Sequence, residues 1–318
     1  MKKAIIVGCH GQDGRLLDDF LSRKKFEVIG IDKKFIKCPQ GMNCGVVDIN
    51  KPEDVNGLIR DFEPDEVYYL AALHHSSQAD LGDHVDLFRK SFDIHVLAFM
   101  NFLEAIKQHS PRTRILYAAS SHIFGNPENK TQDENTAIRP NCIYGITKAA
   151  GLFVSRLYRK NYSIFAPTCI LYNHESSFRH EDFVSKKIIS GAVRIKKKEQ
   201  ERLLVGDLDA EIDWGYAPDF IDGMHRIINH GTADDFIVAT GKRHTVRDFV
   251  KIAFEYLDLD WSRYVEEDRS IITKQSYRRI GNPRKLMKAT GWKPTVDFKG
   301  MIRLLLTEEG AFVDDRNE

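Results

Sequence analysis

The chain has 318 residues, 42% hydrophobic and 29% charged, with a formal net charge of +1. That length holds a two-layer domain with a smaller one appended, and the composition is that of an ordinary soluble protein. Balanced charge argues against recruitment of nucleic acid or an acidic membrane by a bulk field, and no apolar run approaches the ~20 residues of a bilayer span.

The N-terminus reads as a strand beginning at the third residue rather than as a signal peptide, so a cytoplasmic location is expected. The five cysteines, Cys9, Cys38, Cys44, Cys142 and Cys169, are odd in number, scattered and free of any Cys-x-x-Cys, so they read as free thiols. No metal is expected. Cys38 and Cys44 lack histidines at ligand spacing, and His74 and His75, being adjacent, are poor joint ligands and read as a loop beside the cleft.

In chain order, Lys3–Val7 is a short apolar run suited to a buried parallel strand. Gly8, Gly11 and Gly14 follow in a G-x-x-G-x-x-G turn with Gln12 and Asp13, and a helix begins at Arg15. Glycines there let the backbone turn tightly and approach a pyrophosphate, which would sit on free N–H groups at the helix N-terminus. A second strand, Glu27–Ile31, ends at Asp32, where a carboxylate accepts a ribose hydroxyl and repels a 2′-phosphate. This favours NAD, with NADP as the alternative because Lys33 and Lys34 come next. Asp48 and Ile49 are expected to end a third strand and flank the adenine. Leu70, Ala71 and Ala72 are expected to end a fourth, passing under the cofactor.

Phe88, Phe92, Val96, Phe99, Leu103 and Ile106 recur at helical spacing on one long amphipathic segment. Arg114–Ala119 is a further strand delivering Ser120, Ser121 and His122 to its carboxyl end, where open α/β sheets bind ligands. The helix near Tyr144 carries Tyr144-Gly-Ile-Thr-Lys148, with Ala149, Phe153 and Leu157 on an apolar stripe. Apolar stripes wider than the sheet can cover would pair two subunits as a four-helix bundle, giving a homodimer or a tetramer. A phenol titrating near ~10 is too weak a base at neutrality. An ammonium one helical turn on, with a positive nicotinamide ring, favours the phenolate. Tyr-x-x-x-Lys is common by chance and carries weight only beside the upstream cofactor site.

Strand and helix signals alternate to about residue 170, as a Rossmann-type doubly wound parallel sheet requires. The expected division is a nicotinamide-dinucleotide domain over 1–170 and a smaller α/β substrate-binding region over 171–318, from which some segments would return to the sheet.

This order of glycine turn, serine and Tyr-x-x-x-Lys resembles the extended short-chain dehydrogenases/reductases, and more narrowly the GDP-mannose 4,6-dehydratase family. The resemblance covers nearly the whole chain and includes Ile170-Leu-Tyr-Asn-His-Glu-Ser176, Asp213-Trp-Gly215, Ala239-Thr-Gly241 and Gly291-Trp-Lys-Pro294. It implies tightly bound, internally recycled NAD and a GDP-linked hexose that loses water after oxidation at C4. By position it implies Tyr144 as the C4 base, Lys148 as its electrostatic partner and Ser120 in place of the family's threonine. Asn173 would contact the sugar diphosphate, Glu175 would orient its loop, and Lys187 would face the nucleotide. Ser121 would also face substrate. The departures are as informative. His122 stands where the family's glutamate takes the C5 proton and protonates the leaving C6 hydroxyl. Imidazole is basic enough, but it becomes a cation beside the nicotinamide. A C4 oxidoreductase or epimerase without dehydration is therefore the alternative. Ile212 replaces an arginine and Ile272–Gln275 replaces an Arg-Pro-x-Glu stretch, losses for which Arg269, Arg278 or Arg279 would have to compensate.

Overall fold

The computed structural model describes residues 1–33, 35–39, 46–73, 82–129, 131–272 and 279–312; Lys34, Cys44, His74, His75 and Arg278 fall outside these. Strands and helices alternate from the start: β1 (Lys3–Val7), α1 (Gln12–Arg23), β2 (Glu27–Asp32), β3 (Phe35–Lys37), α2 (Pro52–Phe62) and β4 (Glu66–Tyr69). A long helix then comes in three parts, α3 (His84–Phe92), a π-helical turn (Asp93–Leu97) and α4 (Ala98–His109). After β5 (Arg114–Ser120) and a 3-10 turn (Ser121–Phe124) lie β6 (Thr131–Gln132), α5 (Ile143–Tyr162), β7 (Thr168–Leu171) and β8 (Asn173–Glu175). The remainder comprises α6 (Val184–Lys196), β9 (Leu203–Val205), β10 (Glu211–Ile212), β11 (Trp214–Tyr216), α7 (Ala217–Ile228), β12 (Asp235–Val238) and β13 (His244–Thr245). It ends with α8 (Val246–Glu255), β14 (Val265–Glu267), β15 (Ile280–Gly281), α9 (Arg284–Thr290) and α10 (Phe298–Glu308).

Seven strands form one sheet in the order β12-β7-β5-β4-β1-β2-β3. All pairings are parallel except that of β2 with β3. Burial on both faces explains why β1 and β7 are unbroken apolar runs. One face is covered by a core drawn from α2, α4 and α5, the other by one from α1, α7 and α9. A third core joins α6, α8 and α10 around Trp214. The doubly wound α/β architecture expected from the sequence is present. Strand order reverses at β1, and the crevice beyond the carboxyl ends of β1 and β4 is where such sheets bind ligands. No helix among the described residues is long and apolar enough to cross a membrane.

Three expectations are corrected. Asp48 and Ile49 do not end a strand: they sit in a turn closed by the Asn50 N–H on Asp48 Oδ1 (3.0 Å), and the third strand is the hairpin partner β3. Cys38 is disulfide-bonded, whereas Cys9, Cys142 and Cys169 are free thiols; an odd count does not exclude a single pair. The long apolar stripe is broken. Phe99, Leu103 and Ile106 are fully buried, but Phe88 is 39% exposed, because the π turn takes up extra residues and rotates α3 relative to α4.

Candidate active site

At the β1–α1 turn Gly8 has φ +94°, and a Cβ there would lie 2.9 Å from the Ala71 nitrogen. A Cβ on Gly14 would collide with the Gly8 carbonyl and the Cys9 backbone. Gly8 needs glycine to turn beside the loop after β4, and Gly14 needs it for α1 to start against the turn itself. The N-cap of α1, Gly11, offers no side-chain hydrogen bond, so the first-turn N–H groups form an anion site at the positive helix end.

Asp13 in that first turn would repel a pyrophosphate, but it is paired with His174, whose Nε2 is 2.9 Å from Asp13 Oδ1. His174 Nδ1 is 2.7 Å from the Tyr172 carbonyl. Both partners only accept, so both ring nitrogens donate and His174 is an imidazolium. Burial alone would depress His174; the Asp13 charge and hydrogen bond override it and raise the imidazole above its ordinary range. Burial would likewise raise Asp13, yet His174 holds the carboxyl below its usual value. Gln12 Nε2 donates to the His174 carbonyl (3.0 Å) and Ser176 Oγ to Gln12 Oε1 (3.0 Å). The glycine loop and β8 are thereby stitched together.

At the other end of the cleft, Tyr144 and Lys148 occupy the first two turns of α5. Lys148 is 1% exposed. Its Nζ donates to the Ala118 carbonyl at 2.7 Å and lies 5.9 Å from the Tyr144 ring centroid. Burial pushes its ammonium down to about 7. Burial is also the largest influence on the Tyr144 phenol, raising it against a hydrogen bond with Ser120 and the charge of Arg179. Burial thus opposes the phenolate, so the expected preference for it rests on the charge of Lys148 together with that of the nicotinamide ring.

Ser120 accepts the His122 N–H (3.3 Å), which places the serine at the mouth of β5. The His122 ring stands edge-on to Tyr144, with centroids 5.6 Å apart. Arg279 Nη2 approaches His122 Nε2 at 3.4 Å, and Cys142 Sγ lies 3.7 Å from His122 Nδ1. A guanidinium only donates, so Nε2 faces it as the acceptor. Arg279 pairs as a β-bridge with Ile212 and also donates to the Gly125 carbonyl (3.2 Å). Arg269 is instead occupied by Asp207, Asp209 and Glu267.

One cleft of about 400 Å³ is lined by Gly8, Gly11, Gln12, Asp13, Gly14, Asp32, Lys33, Asp48, Ile49, Leu70, Ala71 and Ala72, together with Ser120, His122, Tyr144, Lys148 and Asn173. Ser121, Glu175, Lys187 and Arg279 lie outside that lining. Ser121 is buried. Glu175 accepts from Ser185 Oγ (2.6 Å) and pairs with Arg179 (3.2 Å). Lys187 is half-buried on α6. His174, Arg179 and Ile94 also line the cleft and escaped the sequence reading; only the position of His174 and Arg179 in or just after the Asn-His-Glu-Ser segment pointed to the first two. The uncapped α1 terminus, the glycine cradle and the Asp32 carboxylate fit a dinucleotide.

This geometry defines a nicotinamide-dependent enzyme of the extended short-chain dehydrogenase/reductase type. Residues 5–305 match the family profile of GDP-mannose 4,6 dehydratase. GDP-mannose 4,6 dehydratase 2 of Arabidopsis thaliana is 33% identical over 330 residues, spanning 97% of this chain and 87% of that one. The fold is similar to that of RMD from Pseudomonas aeruginosa complexed with NADPH, with TM-score 0.82, 21% identity and coverage of 98% and 100%. UDP-glucose 4-epimerase of Thermus thermophilus complexed with NAD gives TM-score 0.77, 24% identity and coverage of 98% and 100%. The chain belongs to the GDP-mannose 4,6-dehydratase family and is an NAD(P)-dependent dehydratase/epimerase.

Proposed function

We propose that the protein is a nucleotide-sugar 4,6-dehydratase acting on a GDP-hexose of the mannose type, with NAD held and recycled within the cleft. The observation that carries this reading is the convergence of Ser120, Tyr144 and Lys148 on one cleft in a chain matching that family over 5–305. Tyr144 takes the proton of the C4 hydroxyl, and Ser120 holds the same oxygen. Lys148 supplies positive charge one turn away, its ammonium steadied by the Ala118 carbonyl. Bound nicotinamide would accept the C4 hydride and return it at C6, and Tyr144 delivers the proton it took to C5 in that return. A C4 ketone acidifies the C5 proton, which His122, lining the cleft beside Tyr144, removes before passing a proton to the departing C6 hydroxyl. Asn173 contacts the diphosphate, and the region from residue 171 onward covers the sugar nucleotide.

NAD is favoured over NADP because Asp32 would repel a 2′-phosphate. Exposed Phe88, Leu97, Ile146, Phe153 and Leu157 on α3, the π turn and α5 (39–50% exposed) support a homodimer in which these helices pair as a four-helix bundle.

A second reading rests on the Arg279–His122 contact. With Nε2 facing a guanidinium, His122 must surrender that partner before it can take a proton, and an enzyme that stops at the 4-keto sugar follows. Mass spectrometry of GDP- and UDP-sugars incubated without added cofactor separates the two. Loss of one water from GDP-mannose or a related GDP-sugar is expected. Reduced cofactor, or a C4 epimer of unchanged mass identified by NMR, without water loss would replace the first reading with the second, and an unaltered sugar with oxidised cofactor would sink both.

A further inference from the structure

His95 is fully buried (0% exposed) inside the π-helical turn, and none of the chemistry above uses it. Its Nε2 lies 3.0 Å from the Leu73 nitrogen and its Nδ1 2.8 Å from Thr147 Oγ1. A backbone N–H only donates, so Nε2 accepts and the ring proton resides on Nδ1, which donates to Thr147. The Thr147 hydroxyl then donates to the Ile143 carbonyl (3.0 Å) or the Tyr144 carbonyl (3.2 Å). This directional chain runs from the floor of the cofactor cleft to the backbone of the C4 base. The His95 ring also stands edge-on to the Tyr144 ring, with centroids 5.4 Å apart.

The turn that carries His95 is itself pinned from the sheet. Tyr69 Oη donates to the Ile94 carbonyl (2.6 Å) and Tyr117 Oη to the His95 carbonyl (3.0 Å), both from fully buried tyrosines on adjacent strands. π turns often mark functional positions inside helices. Filling space here would require only an aliphatic side chain. The neutral imidazole in a fixed tautomer adds two bonds to two different elements.

We propose that His95 is a positioning residue that clamps the first turns of α5, and so the Tyr144 phenol, against the Leu70–Leu73 segment under the cofactor. Its effect on rate rests on the assignment of Tyr144 as the C4 base; the clamp itself does not.

Two variants divide the clamp. In His95→Gln the side-chain oxygen can still accept from Leu73 but the donor to Thr147 is lost, whereas His95→Asn keeps that donor and loses Leu73. Thr147→Val removes the same link from α5 at nearly constant volume. Single-turnover hydride transfer to bound NAD is expected to slow about tenfold or more in His95→Gln and in Thr147→Val, since a small misplacement of a reacting group costs that much. Their double variant should be no slower than either, NAD affinity should hold within about threefold, and His95→Asn, which cuts the clamp at its other end, should slow transfer comparably. Independently, NMR amide exchange of Leu73 should accelerate about tenfold or more in His95→Asn and stay protected in His95→Gln. Wild-type transfer rates in folded His95→Gln and Thr147→Val would overturn the proposal, as would Leu73 exchange indifferent to both His95 variants. Should the wild type move no hydride from any sugar nucleotide, the Tyr144 assignment fails, and Leu73 exchange still decides the clamp.

Discussion

Replacing Lys148 by methionine should strengthen the fold while removing the activity. The side chain lies 1% exposed beneath α5, and burial takes its ammonium from 10.5 to about 7. At ~1.4 kcal/mol per pH unit, that gap is a penalty of roughly 5 kcal/mol on folding with the charge in place. Methionine fills similar volume but leaves the Ala118 carbonyl without its 2.7 Å donor, a loss of about 1–3 kcal/mol. The net gain near pH ~6 is about 2–4 kcal/mol. The sign follows from a depressed folded pKa: the contribution of Lys148 is complete above 10.5 and is lost as the pH falls through about 7. The methionine advantage should therefore be largest at pH ~6 and reverse slightly near pH ~10, where only the lost hydrogen bond remains. Denaturant unfolding of cofactor-stripped protein at the two pH values measures this difference, and single-turnover hydride transfer measures the loss of activity. A methionine variant equally less stable at both pH values would refute the reasoning, because the buried ammonium would then carry no net penalty.

Two other outcomes follow from the site. Asp13→Asn should lower the melting temperature by the equivalent of about 3 kcal/mol, near the low end for breaking a buried pair because the Asp13 side chain keeps 20% exposure. Asp13 is depressed and His174 raised, so the pair contributes above the usual carboxylate value near ~3.9 and below the usual imidazole value near ~6.5. Melts across pH should separate variant and wild type most within that window; curves that run parallel from acid to alkali would contradict the pairing. The proposed four-helix bundle predicts a dimer in sedimentation that becomes a monomer in Phe153→Asp with Leu157→Asp; a monomeric wild type, or a dimer unchanged in the variant, would overturn that bundle.

Much of the cofactor half was legible in the sequence because its determinants are local. Gly8 turns at φ +94° and Gly14 meets the Gly8 and Cys9 backbone, needs set within a few residues, and Tyr144 and Lys148 need only a helix to meet. The sheet strands announced themselves as apolar runs because both faces are buried. What escaped depends on contacts between distant segments. Nothing around Asp13 reveals that His174, on a strand well downstream, neutralises it. The π turn is a single irregularity in a pattern that otherwise reads as continuous helix, so neither the exposure of Phe88 nor the inward turn of His95 could be foreseen. The phenolate argument for Tyr144 counted the charges of Lys148 and nicotinamide, whereas the burial that opposes charge on both side chains is invisible in the spacing. The neighbourhood of Ile212 and Arg279 needed the β-bridge between them.

The account turns on Tyr144 drawing the C4 proton while hydride leaves that carbon for the bound nicotinamide. A single turnover with GDP-mannose deuterated at C4, followed by NMR, tests it most directly. Deuterium should leave C4 and be recovered on the cofactor or at C6 in the wild type, and stay in place in Tyr144→Phe. Label that leaves C4 equally well in Tyr144→Phe, or water lost from a sugar whose C4 keeps its deuterium, would contradict the account.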